Sequence, residues 1–309
     1  MKITYSIIAP IYNEIDNLPE LYRRVKEVMD SAGEPWELIL VDDGSTDGST
    51  EKIRELAQND KTVRPVIFAR NFGHQVAITA GWDYARGEAV VIIDADLQDP
   101  PEVILDLAKK WKEGYEVIYA VRGEREGESW FKLWTASLFY RLIYRITDVK
   151  IPVDTGDFRL MDRKVVDVLK QMKERHRFPR GMSAWVGFKQ VGVTYKRAAR
   201  LAGVTKYPFR KMLKLAVNAI TGFSYFPLQV ATFFGFFSAA VAILAIPVVI
   251  AMRIAGSAAF FGQATTLIAV LFLGGVQLIS LGVLGEYIGR LYDEAKGRPL
   301  YIVREAPED

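Results

Sequence analysis

Three acidic or amide-rich turns each follow a short apolar, β-rich run: Ala9-Pro10-Ile11-Tyr12-Asn13-Glu14, Val41-Asp42-Asp43-Gly44-Ser45-Thr46-Asp47 and Ile93-Asp94-Ala95-Asp96-Leu97-Gln98-Asp99. If the runs are strands of one parallel sheet, the turns converge on one sheet edge. Carboxylates gathered there repel one another unless a cation or hydrogen-bond donors neutralise them. Hard oxygen ligands of this kind suit Mg2+ or Mn2+ shared with substrate phosphates, and the Asp94/Asp96 turn is the best place for the ion. The Asp-x-Asp spacing alone carries no weight, since with 18 Asp in 309 residues about one such pair is expected by chance. Its meaning comes from following Val90-Val91-Ile92-Ile93 directly and from the two companion turns. Read in isolation, the Asp42-Asp43-Gly44-Ser45 turn is equally an ordinary helix-capping loop.

These turns need a frame. Residues 1–120 alternate β-rich runs at 3–10, 37–42, 63–69, 89–94 and 116–120 with helical runs. The helices are expected at 18–32 after an Asn17 cap, 48–59 after an Asp47 cap, 75–86, and 101–112 with proline in the first turn. The pattern is α/β, a doubly wound and mostly parallel sheet, in which ligands bind outside the carboxyl ends of the strands. His74 and His176 have no partners at ligand spacing and read as structural or surface residues.

Beyond residue 120 the pattern changes. The aromatic segment 130–146 reads as either a core helix or an interfacial helix, and 208–226, with Arg210, Lys211 and Lys214, as an amphipathic helix at a membrane surface. No charged residue occurs in 228–252 or 254–285, and each run is long enough to cross a hydrocarbon core of about 30 Å. The expected organisation is a cytosolic domain at 1–207, the interfacial helix at 208–226, a two-helix membrane hairpin at 227–288 and a cytosolic tail at 289–309. Lys196, Arg197, Arg200, Lys206, Arg210, Lys211 and Lys214 precede the first span. Arg290, Lys296, Arg298 and Arg304 follow the second, with only Arg253 between. The positive-inside rule then puts both termini in the cytosol, and no signal-peptide pattern opens the chain. Gly282, Gly285 and Gly289 permit close helix contact, either with the first span or with a second copy in a homo-oligomer.

Several classes drop out. A net charge of +3 from 40 Lys+Arg against 37 Asp+Glu does not supply the concentrated basic face of a nucleic-acid binder. No cysteine is present, so no disulfide scaffold exists. The chain also lacks the Gly-x-x-x-x-Gly-Lys-Ser/Thr loop of an ATPase, the Gly-x-Ser-x-Gly elbow of a serine hydrolase and the Gln-x-x-Arg-Trp signature of processive polysaccharide synthases.

The turns, together with Arg70-Asn71-x-Gly73, Asp94-Ala95-Asp96-Leu97-Gln98-Asp99-Pro100-Pro101, Asp157-Phe158-Arg159-Leu160-Met161, Arg200-x-x-Gly203-x-Thr205-Lys206-Tyr207 and Gly285-Glu286-Tyr287-Ile288-Gly289-Arg290, resemble the inverting family 2 glycosyltransferases of GT-A fold. The likeness is to the polyprenyl-phosphate branch, and its motifs run in order along nearly the whole chain. The resemblance implies that Pro10, Tyr12, Glu14 and Asp42 hold the nucleotide, with Asp94 near the ribose or metal. It implies further that Asp96 and Gln98 ligate a Mg2+ or Mn2+ bridging the diphosphate, and that Arg200 and Lys206 meet phosphates. Asp157 is the implied general base. A lipid monophosphate, however, has a second pKa near 6 and needs little deprotonation, so Asp157 is equally a group that orients a sugar hydroxyl or the acceptor. The implied partners are a nucleotide-diphosphate sugar, a polyprenyl (undecaprenyl) phosphate and a membrane. UDP-glucose is the favoured donor because the two-span tail is similar to that of bactoprenol glucosyltransferases; GDP-mannose and UDP-N-acetylhexosamine or aminosugar donors are the alternatives. The rival reading is an inactive membrane scaffold, which would predict erosion of the acidic turns.

Overall fold

The computed structural model describes residues 2–123, 155–196, 221, 224–255 and 263–307. Strands β1 (Tyr5–Ile11), β2 (Trp36–Asp42), β3 (Val63–Phe68) and β4 (Ala89–Ile92) are parallel, side by side in the order β4-β1-β2-β3. Both faces of this sheet are covered, which is why its strands read as continuous apolar runs rather than alternating ones. Ile7, Leu38, Leu40 and Val91 face one layer, with Leu21 and Val25 of α1 (Leu18–Ala32) and Ile104 and Leu107 of α4 (Val103–Lys112). Their strand neighbours Ile8, Ile39, Val41 and Val90 face the other layer. It is formed by Ala77, Ile78 and Trp82 of α3 (His74–Tyr84) and Val165, Val166 and Leu169 of α5 (Arg163–Gln171).

Helix starts shift where local bonding competes. Asn17 makes no side-chain cap: its backbone is helical (φ −89°, ψ −23°) rather than extended, so its Oδ1 is not turned onto the first-turn N–H groups, and its Nδ2 donates to Glu14 Oε2 at 2.6 Å. Helix α2 (Ser49–Asn59) begins one residue later than expected, after Gly48 at φ 95°, and Asp47 Oδ1 accepts from Ser49 N at 3.0 Å. Pro100 and Pro101 stand before α4 rather than inside it, their carbonyls accepting from Val103 N and Ile104 N.

The sheet is mixed, and one insertion matters most. Strand β5 (Val117–Arg122) does not lie beside β4, because β6 (Thr155–Asp162) runs between them, antiparallel to both. Its register pairs Ile92 with Arg159, so the start of β6 reaches the same edge as the end of β4. Strand β7 (Gln190–Tyr195) continues the sheet beyond β5, parallel to it, after the short helix α6 (Pro179–Trp185).

Helices α7 (Phe226–Ile254) and α8 (Gln263–Ala295) pack alongside each other. Within them Phe226–Met252 and Ala269–Ala295 are each long and apolar enough to cross a membrane, and neither is buried in the protein. Their 27 residues amount to about 40 Å of helix. Tyr287 OH donates to Ser224 O at 2.7 Å, tying the start of one helix to the end of the other. The segment expected as a tail returns to the sheet: β8 (Val303–Glu305) pairs antiparallel with β3, Tyr301 stacks on Phe68 at 5.1 Å, and its OH donates to Asp83 Oδ2 at 2.7 Å. Arg200, Lys206, the 130–146 segment and most of 208–226 lie outside the described residues.

Candidate active site

The loops after β1 and β2 are joined by reciprocal hydrogen bonds. Asn13 N donates to Ser45 Oγ at 3.0 Å and Thr46 N to Asn13 Oδ1 at 2.8 Å, while Glu14 N donates to Ser49 Oγ at 3.1 Å. Asp42 is fully buried; its Oδ1 accepts from Ser45 N at 3.0 Å and its Oδ2 from Thr50 Oγ1. Pro10 is buried in register with Val41, Glu14 is half-buried, and Tyr12 is exposed beside them. Asp43 reaches the next loop, accepting from Phe72 N at 2.6 Å and Gly73 N at 2.9 Å. Burial pushes its carboxyl up to about 6 against the pull of those two N–H groups. Gly44 sits at φ 71° with the Arg70-Asn71 backbone so near that a Cβ would come within 2.6 Å of it, so this position requires glycine.

One strand beyond β1, on the opposite side, chemistry of another kind is assembled. Asp94 leaves the end of β4, and the β4/β6 register brings Asp157 to the same place. His74, the first residue of α3, points Nε2 at both: 3.3 Å from Asp157 Oδ2 and 3.6 Å from Asp94 Oδ1. Arg180 of α6 closes the group with a fork, Nε to Asp157 Oδ1 at 2.8 Å and Nη2 to Oδ2 at 3.1 Å. Behind them Arg159 donates to the Gly156 carbonyl at 2.9 Å and to Ser183 Oγ, and Tyr195 OH donates to Asp99 Oδ1. In the turn itself Gln98 N donates to Asp96 Oδ1 at 3.2 Å, with Leu97 buried at φ 56°.

The electrostatics follow from burial and these pairings. Burial pushes Asp94 up to about 6; His74 opposes the rise and the neighbouring Asp157, Asp99 and Asp96 charges add to it. For Asp157 burial acts in the same direction, but the Arg180 charge and the His74 and Arg180 contacts overcome it and hold the carboxyl well below the usual range. Burial works against a charged His74, yet Asp157 and Asp94 keep its pKa above the ordinary imidazole value. Burial lowers Arg159 to about 10.

Asp94 Oδ1 is buried with no hydrogen-bond partner among the described residues, as a cation ligand would be. With Asp96 and Gln98 in the same turn, the oxygen donors fit a divalent cation of the Mg2+ or Mn2+ type. Among the described residues no three His, Cys, Asp or Glu side chains form a metal cage. A cation here would therefore take its remaining ligands from water and substrate phosphates.

The sequence model of Glycosyl transferase family 2 matches residues 6–169, the span that carries both loop pairs and the start of α5. The chain belongs to that family. The glycosyltransferase is 53% identical to an uncharacterized glycosyltransferase of Bacillus subtilis (strain 168), over 98% of this chain and 94% of that protein. It is 43% identical to the bactoprenol glucosyl transferase of Shigella phage SfV, over 98% of each chain. A crystal structure of glucosyl-3-phosphoglycerate synthase from Mycobacterium tuberculosis with Mn2+ and UDP-glucose aligns at a TM-score of 0.47 and 20% identity, over 71% of this chain and 77% of that one.

The glycosyltransferase thus brings Asp94, Asp96, Gln98 and Asp157 to one end of the sheet edge and Pro10, Tyr12, Glu14 and Asp42 to the other. Two site residues escape sequence reasoning. His74, set aside there as structural or surface, lies between Asp94 and Asp157, partners 20 and 83 residues away, the second brought near by the β4/β6 pairing. Arg180 had no signal beyond a positive charge after Pro179. His176, by contrast, faces Asp293 at 3.5 Å, away from the acidic turns.

Proposed function

We propose that this glycosyltransferase moves one sugar from a nucleotide-diphosphate sugar to a polyprenyl phosphate at the cytosolic face of a membrane, with inversion, and that UDP-glucose is its donor. One observation carries the reading: the sheet bearing the acidic edge is continuous, through β8, with a helix long and apolar enough to cross a membrane. A site that must meet a lipid phosphate needs such an attachment, since drawing a prenyl chain into water costs about 0.8 kcal/mol per CH₂. The near full-length likeness to proteins named bactoprenol glucosyl transferase supports the acceptor class.

In this reading the nucleoside lies on the joined loops of β1 and β2, near Pro10, Tyr12 and Glu14, with Asp42 fixing the shape of that loop. The acceptor phosphate, largely dianionic at pH 7, attacks the anomeric carbon directly. The new C–O bond forms as the bond to the diphosphate breaks, the electron pair leaves with the nucleoside diphosphate, and a single displacement inverts the centre. Asp157, held ionised, is a poor proton acceptor and serves to orient a sugar hydroxyl or the acceptor. A divalent cation held by Asp94, Asp96 and Gln98 would neutralise charge growing on the leaving diphosphate. Arg200 and Lys206 are assigned to substrate phosphates. A homo-oligomer through α8 is part of the reading, because a Cβ at Gly282, Gly285 or Gly289 would meet nothing within 4 Å, which leaves those positions out of contact with α7.

The test offers UDP-glucose, GDP-mannose and UDP-N-acetylglucosamine, each with undecaprenyl phosphate, to the full chain and identifies the lipid product by mass. A glucosyl phospholipid only with UDP-glucose is expected. Products with another donor would correct the sugar, and no lipid product with any donor would contradict the function.

A further inference from the structure

The ion pair between Arg180 and Asp157 joins two side chains of unequal access. The Asp157 side chain is 4% exposed and that of Arg180 27%, so the carboxylate is the inner partner and the guanidinium the outer one. The fork covers both carboxylate oxygens, at 2.8 and 3.1 Å. Asp157 Oδ2 also faces His74 Nε2 at 3.3 Å, so the carboxylate keeps a neighbouring imidazole if Arg180 turns away. Arg159 is held differently: it is buried, and its guanidinium donates to the Asp157 and Gly156 carbonyls and to Ser183 Oγ. Asp94, Asp96 and Asp99 crowd the same end with negative charge. An anion arriving there needs a cation that can be reached and whose departure leaves no buried charge alone. Arg180 meets both conditions.

A guanidinium fork that fits a carboxylate fits a phosphate through the same planar two-point geometry. We propose that Arg180 takes the acceptor's phosphate, with Asp157 occupying its fork until that phosphate arrives. The assignment rests on the phosphate-bearing acceptor proposed above. The exchange makes and breaks no covalent bond. It leaves Asp157 beside His74 with Oδ1 uncovered, so this carboxylate becomes available to a sugar hydroxyl only once the acceptor is in place.

The test uses the full chain in detergent, titrated with farnesyl phosphate and, as control, farnesol, with affinity read from the melting-temperature shift. Arg180→Lys replaces a two-point fork by a point charge and should weaken farnesyl phosphate binding about tenfold, with binding of nucleoside diphosphate unchanged. Asp157→Asn removes the competing anion and should tighten farnesyl phosphate binding, also by about tenfold. A purely structural ion pair would lower the melting temperature in both variants without moving phosphate affinity in opposite directions. Unchanged affinity in Arg180→Lys, or weaker affinity in Asp157→Asn, overturns the assignment while leaving the acceptor class standing. A wild-type chain that binds farnesyl phosphate no better than farnesol overturns both.

Discussion

At the end of β2, Asp42 is fully buried with its oxygens on Ser45 N and Thr50 Oγ1. Across β1, at the end of β4, Asp94 keeps a buried Oδ1 with no hydrogen-bond partner among the described residues, 3.6 Å from His74. Both carboxylates follow apolar strands of one sheet, yet one lies in a satisfied frame and the other in a cluster of charges pushed away from their ordinary pKa values. A satisfied carboxylate stabilises a loop, whereas an unsatisfied one stores electrostatic tension that a ligand relieves. The first end keeps a shape, and in the proposed reaction the second changes its charge balance when substrate binds.

Asparagine at each position should separate the two ends. Asp94→Asn is expected to lower turnover by about two to three orders of magnitude, as loss of a main electrostatic stabiliser does, and steady-state rates check it. Asp42→Asn keeps one acceptor oxygen and sets an NH2 against the donor of the other, Ser45 N–H or Thr50 O–H, and should lower stability by about 1–3 kcal/mol in denaturant unfolding. Comparable activity losses with equal destabilisation in both variants would erase the distinction.

The pH dependence of stability sharpens it. The fold raises Asp94 from 3.8 to about 6, so the folded state resists ionisation that the unfolded chain accepts freely. Stability contributed by this group is therefore full below about pH 4 and is lost as pH rises to about 6. Asp94→Asn has no such loss, so it should melt above wild type at pH 7.5, with the gap closing toward pH 4. A gap that widens on acidification would show that Asp94 is not held up by burial.

His74→Ala comes next in size. It leaves Asp94 facing no imidazole and Asp157 with Arg180, and should lower turnover about 10- to 100-fold through misplacement of those groups. Tyr301→Ala should be milder. It removes the stack on Phe68 and the bond to Asp83 that hold the C-terminal strand at β3, for about 1–2 kcal/mol of stability, and turnover should fall less than in His74→Ala.

How much of this was legible from the residues depends on what each feature needs. The strands ending at Asp42 and near Asp94 were readable because burial on both faces demands apolar runs such as Val90-Val91-Ile92-Ile93. The acidic turn after β4 was readable for the same reason. Strand pairing was not: nothing in Thr155–Asp162 says that it enters between β4 and β5, and that insertion alone brings Asp157 to Asp94. His74 and Arg180 stayed hidden with it, since their partners are distant in sequence. Asn17 misled because its residue type suits a cap while its helical backbone turns Oδ1 away from the first-turn N–H groups. Val303–Glu305 is too short for any period to show, and only the free edge of β3 explains why it pairs.

The division of labour along the sheet edge is tested most directly by metal-dependent ligand binding in the full chain, read as the melting shift with UDP alone and with UDP plus Mn2+. Asp94→Asn is expected to keep the shift given by UDP alone and lose the additional shift given by Mn2+, and Asp42→Asn to need more UDP for the same shift while keeping the added Mn2+ response once UDP saturates. An Asp94→Asn chain with the full Mn2+-dependent shift would contradict that division of labour.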